Sequence, residues 1–127
     1  MPPARALADR VRQLSDASAA QRLAPTKGSH LIVPRLTQHA LFVEARRDRR
    51  MLFILPWGDY SLIGTTERLV DDALDALRAS PDEVGYLLEE VNRVLPQRQL
   101  TEDDVIATYA GARPLLAYAG TSTGASR

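Results

Sequence analysis

The sequence predicts an α+β fold, an antiparallel β-sheet with helix cover, from three observations. Four short β-prone runs, at 31–34, 40–45, 51–56 and 60–65, follow one another closely. The gaps at 46–50 and 57–59 suit hairpins and are too short for the crossover helices a parallel sheet would need. One strongly amphipathic segment near 82–95 then offers a cover, and 105–109 reads as a strand returning to the sheet.

The elements follow in order. Leu7, Val11 and Leu14 recur at helical spacing among Arg5, Asp9, Arg10 and Arg12, which predicts a short amphipathic helix within 4–15. Small residues at 15–20 make a connection, and Pro25-Thr26-Lys27-Gly28 stops any helix. From there a polar loop bearing Lys27 and His30 runs into the β-branched stretch ending at Pro34, so the rim of a rigid sheet is expected to hold two reactive side chains. The hairpin-length gaps predict that the first four strands form a meander. Phe42 alternates with Leu41 and Val43, whereas Leu52, Phe53, Ile54 and Leu55 are apolar throughout, so the third strand is expected to be covered on both faces.

Ser80-Pro81-Asp82-Glu83 supplies an N-cap, a proline in the first turn and a glutamate at the capping-box position. Val84, Leu87, Leu88, Val91, Val94 and Leu95 then hold one helical face until Pro96 ends it. Residues 71–78 fit either a helical turn or an ordered loop. Thr101-Glu102-Asp103-Asp104 reads as a second capping box opening a single turn. Beyond Pro114 the chain has no packing signal and is expected to fray. The expected organisation is therefore an N-terminal helix and connection at 1–24, a core at 25–116 and a flexible tail at 117–127.

A chain of 127 residues suits one folded unit. Sixteen basic residues balance sixteen acidic ones, so nothing global points to nucleic acid. With no cysteine there is no disulfide framework and no thiolate metal site, and a reducing bacterial cytosol is the default setting. No apolar run approaches the ~18 residues a membrane helix needs. Lys27 is the sole lysine.

His30 has the chemistry of a general base, because an imidazole can accept an alcohol proton near neutral pH; a hydrogen-bonded structural histidine is the plain alternative. His39, in a turn, reads as solvent-exposed. Arg113 precedes Pro114 at the end of the last strand, where a rigid element would aim its planar fork at a phosphate or leave it an ordinary surface cation. Gly64-Thr65-Thr66 could offer amides and hydroxyls to a phosphate or a flavin, or simply end a strand. The arginines of 46–50 read as a solvated turn rather than a nucleic-acid patch. The glycines at 28, 58, 64, 85, 111, 120 and 124 form no Gly-x-Gly-x-x-Gly motif for a dinucleotide pyrophosphate.

Five ordered blocks carry a resemblance. They are Lys27-Gly28-Ser29-His30-Leu31-Ile32-Val33-Pro34, Ile54-Leu55-Pro56-Trp57, Leu62-Ile63-Gly64-Thr65-Thr66, Tyr86-Leu87-Leu88-Glu89-Glu90-Val91-Asn92 and Thr108-Tyr109-Ala110-Gly111-Ala112-Arg113-Pro114-Leu115. Over roughly 25–116 the chain resembles an interior piece of the substrate domain of the FAD-dependent glycerol-3-phosphate dehydrogenases. The resemblance implies oxidation of sn-glycerol 3-phosphate to dihydroxyacetone phosphate in a full-length parent, with hydride passing to FAD. It implies His30 as base and Arg113 as phosphate anchor. Lys27 is a weaker substrate-binding candidate whose plain alternative is to neutralise the loop, and Thr65 and Thr66 are the candidate cofactor contacts. Glu67 stands where the family commonly has aspartate. Electrons would go on to quinone or, in oxidase relatives, to oxygen, with the parent cytoplasmic or peripheral on the inner membrane face. The flavin domain is expected to lie outside this piece, which would then hold no FAD, be inactive alone and tend to self-associate. An amino-acid-oxidase-like flavoenzyme and a free-standing binding module are the rival readings, and the neighbouring reading frame would separate them.

Overall fold

The computed structural model describes residues 7–20, 23–70, 74–117 and 125–126. Helix α1 (Ala8–Ser15) is followed by strands β1 (Thr26–Pro34), β2 (Leu41–Glu44), β3 (Met51–Trp57), β4 (Tyr60–Gly64) and β5 (Arg68–Leu69). A 3-10 turn (Leu74–Ala76), helix α2 (Pro81–Val94), a second 3-10 turn (Glu102–Asp104) and strands β6 (Ala107–Arg113), β7 (Leu116–Ala117) and β8 (Ala125–Ser126) complete the order. Where length suggests one folded unit, the chain divides into two: residues 29–66 with 78–110, and the described parts of 1–28, 67–77 and 111–127.

In the larger unit, β2 pairs with β3, β3 with β4 and β4 with β1, all antiparallel, and β6 lies beside β1. This is the predicted antiparallel sheet but not a plain meander, because the first strand sits against the fourth. Six connecting residues, at 35–40, suffice for the passage: an extended chain of that length reaches ~20 Å, and three strand spacings come to ~14 Å. The crossing is held at its start, where the Arg35 N–H donates to the Asp59 carbonyl at 3.1 Å and the Leu36 N–H to Ser61 Oγ at 2.9 Å. Gly58, at φ +58°, supplies the left-handed turn that joins β3 to β4.

Strand alternation sends Leu31, Val33, Leu52, Ile54 and Ile63 to one face, where they cluster with Leu87, Leu88 and Val91 of α2. The helix starts where the sequence places it: Ser80 Oγ accepts from the Glu83 N–H and the Glu83 side chain accepts from the Ser80 N–H, closing the capping box. The expected double cover of β3 is not what forms. Leu52 and Ile54 are buried, while on the other face Phe53 and Leu55 are half-buried and Met51 and Trp57 exposed, the latter 66%. A single helix seals only one side of a strand, however apolar the strand is.

The smaller unit contains the main local surprise. Thr26 and Lys27, expected in a loop, are the start of β1, paired with Leu69 and Arg68 of β5. Two residues of strand so distant in sequence give no periodic signal of their own; the pairing partner makes them extended. Residues 71–73 lie outside the described residues, and the turn at Leu74–Ala76 follows them. In α1, Arg12 donates to Asp9 Oδ1 at 3.1 Å and no residue is buried, with Leu14 84% exposed. Most of the tail lies outside the described residues, but Leu116 and Ala117 pair with Ser126 and Ala125.

Leu87→Ala, which empties a fully buried position, is expected to lower stability by about 2–5 kcal/mol in urea denaturation. Leu14→Ala, on the exposed α1, should change it by less than about 0.5 kcal/mol. Equal effects would show that α2 does not seal the sheet.

Candidate functional site

Neighbouring residues of β1 face opposite ways, and the site follows from that. Ser29 points inward: its Oγ donates to Glu83 Oε2, and its N–H donates to Thr66 Oγ1 at 2.9 Å. The same Glu83 oxygen accepts the Ser80 N–H at 3.1 Å. A carboxylate only 2% exposed thus joins the first turn of α2 to the strand that carries His30.

His30 stands on the open face, half-buried. The Tyr109 ring lies against its imidazole with centroids 4.6 Å apart and planes 9° from parallel, and Phe53 flanks it at 5.8 Å with a 34° tilt. Gly64 is the register partner of both His30 and Phe53. A Cβ there would drive into His30 Cδ2 and stand 2.7 Å from Phe53 Cζ, so the imidazole occupies space that only glycine leaves. Burial pushes the Tyr109 phenol above its ordinary pKa.

Thr66 is buried with its hydroxyl oxygen engaged by Ser29, whereas Thr65 is half-buried and donates to the Thr66 carbonyl at 3.2 Å. Both share the larger unit with His30. Lys27 and Arg113 belong to the smaller unit: Lys27 sits half-buried on β1 opposite Arg68, and Arg113 ends β6, half-buried, with its carbonyl accepting the Leu115 N–H at 3.0 Å. His39 is exposed.

The basic turn at 46–50 is tied into acidic neighbours. Arg47 meets Glu89 at 3.1 Å, Arg49 meets Glu44 at 2.6 Å, Arg50 meets Asp48 at 3.6 Å, and the Arg46 N–H donates to Glu90 Oε2 at 3.1 Å. Such exposed pairs contribute little stability but offset the local positive field.

The arrangement is that of an imidazole set among aromatic rings on an accessible apolar wall. The sequence identified His30 but not its surroundings: Tyr109 and Phe53 lie far from it along the chain, and nothing short of the strand register reveals that Gly64 faces it. Their one sequence signal is that Tyr109 and Gly64 fall inside the resembling blocks.

Comparison with known proteins bears on the family and the fold. The family model described as FAD dependent oxidoreductase matches residues 6–124. A glycerol-3-phosphate dehydrogenase of Synechocystis sp. is 49% identical over 98 residues, covering 75% of this chain and 18% of the relative. The aerobic glycerol-3-phosphate dehydrogenase of Escherichia coli is 40% identical over 91 residues, covering 70% and 18%. The solved structure of the Bacillus halodurans glycerol-3-phosphate dehydrogenase complexed with FAD superposes with a TM-score of 0.82 at 30% identity, over 87% of this chain and 23% of that one. The chain therefore spans less than a quarter of each of these three proteins.

Glu83→Ala removes the side-chain arm of the capping box, the bond from the Ser80 N–H, worth ~1 kcal/mol, and the partner of a buried hydroxyl, worth ~1–3 kcal/mol, while the Ser80 cap on the Glu83 N–H stays. A loss of about 2–4 kcal/mol is expected in chemical denaturation, with Ser29→Ala coupled to it by at least ~0.5 kcal/mol in a double-mutant cycle. Strict additivity would separate the cap from the strand.

Proposed function

We propose, from the premise that this chain belongs to the FAD dependent oxidoreductase family, that it is the substrate-facing piece of an enzyme oxidising sn-glycerol 3-phosphate to dihydroxyacetone phosphate. The observation that carries this reading is the superposition on an FAD-complexed glycerol-3-phosphate dehydrogenase. It is supported by His30, which stands on an accessible face of the same domain with its ring held among aromatics.

The residues fit one part of the cofactor. An apolar wall bearing Phe53, Leu62 and Tyr109 beside a proton acceptor suits a planar ring system, whereas the sequence has no glycine-rich motif for the pyrophosphate. Bound FAD supplies the hydride acceptor. His30 takes the proton of the substrate hydroxyl as the C–H bond at carbon 2 gives up its hydride. Arg113 holds the phosphate through a bidentate fork that never deprotonates, Lys27 adds a second cation, and the Thr65 hydroxyl serves the cofactor side. Thr66 serves the cofactor side as well, held in place by the Ser29 N–H that its hydroxyl oxygen accepts.

In this reading, quinone is the electron acceptor, or oxygen if the parent is an oxidase, and the parent is cytoplasmic or peripheral on the inner membrane face. Among the described residues no helix is long and apolar enough to cross a membrane. Exposed Phe42, Met51 and Trp57 mark where the flavin domain of the parent docks, and their exposure promotes self-association of the chain alone.

In the full-length enzyme, Arg113→Ala is expected to raise KM for glycerol 3-phosphate at least ~10-fold while affecting glycerol far less, because only the phosphate uses the guanidinium. Equal losses for both substrates would remove Arg113 from the phosphate site. His30→Ala should lower kcat by ~10²–10⁴-fold. The 127-residue chain alone should retain no FAD and should show concentration-dependent association on sizing; a yellow, active preparation would overturn the assignment.

A further inference from the structure

We propose that Tyr109 is the positioning residue of His30, stacking on the imidazole to fix its plane and offering a ring face to the imidazolium that forms when His30 takes a proton. The proposal rests on the reading of His30 as the proton acceptor and adds the group that makes it effective.

The neighbours of His30 come from both edges of β1. On the β4 side is Gly64, which leaves the volume the ring occupies; from β6 comes Tyr109, parallel to within 9° at 4.6 Å. Phe53 tilts against the imidazole from β3, two strands away. Rotation about the Cβ–Cγ bond of His30 would break the stack, so the ring nitrogens keep a defined direction. An aromatic face within ~6 Å of a cation attracts it electrostatically, and the cation here is the one created by proton capture. Because burial raises the pKa of the Tyr109 phenol, the ring remains neutral through the range in which an imidazole titrates.

A purely structural role fits Tyr109 poorly. It is 46% exposed and lies outside the cluster that α2 seals, so little hydrophobic stabilisation depends on it. Its one close ring partner among the described residues is His30. The ring, and not the hydroxyl, is the feature the proposal uses, which makes phenylalanine the conservative replacement and leucine the disruptive one.

The test uses the full-length holoenzyme, with FAD content and thermal stability measured for every variant and flavin reduction by glycerol 3-phosphate followed anaerobically. Tyr109→Leu is expected to slow flavin reduction by ~10–100-fold with KM changed less than about two-fold, as misorientation of a reacting group does. Tyr109→Phe should restore the rate to within about three-fold of the unsubstituted enzyme. Gly64→Ala, where it retains FAD, should slow reduction like Tyr109→Leu, because it displaces the same imidazole from the other side. If His30→Ala abolishes reduction while Tyr109→Leu leaves it intact, the positioning role is overturned and His30 remains the base. Equal loss of FAD and of thermal stability in Tyr109→Leu and Tyr109→Phe would also overturn it, as a structural effect of the phenol. If His30→Ala leaves the reduction rate unchanged, the proton-acceptor reading itself fails, and the role of Tyr109 falls with it.

Discussion

The larger unit depends on the buried contact between Ser29 of β1 and Glu83 of α2. A carboxylate removed from water needs donors, and here a strand hydroxyl and a helix-cap amide both donate to Glu83 Oε2. That requirement couples two elements more than fifty residues apart: α2 cannot slide along the sheet without stranding a charge, and β1 cannot slip by one residue without turning Ser29 outward. The same two-residue period then sends His30 to the opposite face.

Once the register of β1 is set, the rest of the candidate site is a consequence of sheet geometry. Pairing with β4 brings Gly64 opposite His30, and pairing of β4 with β3 brings Phe53 opposite Gly64. One glycine thereby serves two rings. The sheet face that carries them is not sealed by α2, which is why Phe42 at 68% exposure and Trp57 coexist with a well-packed core directly behind them. An apolar, uncovered face beside an imidazole is costly when exposed to water and is the kind of surface that another surface covers.

The charges are arranged differently. In the turn at 46–50, guanidinium groups face carboxylates of β2, the turn itself and α2, so a basic run in the sequence becomes locally balanced surface. Tyr86 joins this network, donating to Asp48 Oδ1 at 2.9 Å under the Arg47 guanidinium. Linear charge density is therefore a poor guide to the electrostatics of a hairpin tip, where side chains from other elements fold back over it.

What the sequence by itself determined was everything governed by short-range physics. Helix α2 was legible because its cap, first-turn proline and apolar period act within a few residues, and the hairpins at 46–50 and 57–59 because loop length limits topology. His30 was legible as chemistry, and the blocks around it as a family likeness. Only the tertiary structure decided that β1 begins at Thr26, that it lies against β4 instead of β2, that β3 is covered on one face, and that Tyr109, Phe53 and Gly64 surround the imidazole. Each of these is a pairing between residues more than twenty positions apart. Local propensities say only that such segments are extended; which of them become neighbours is settled by the burial of a shared core and of one carboxylate that must find its donors.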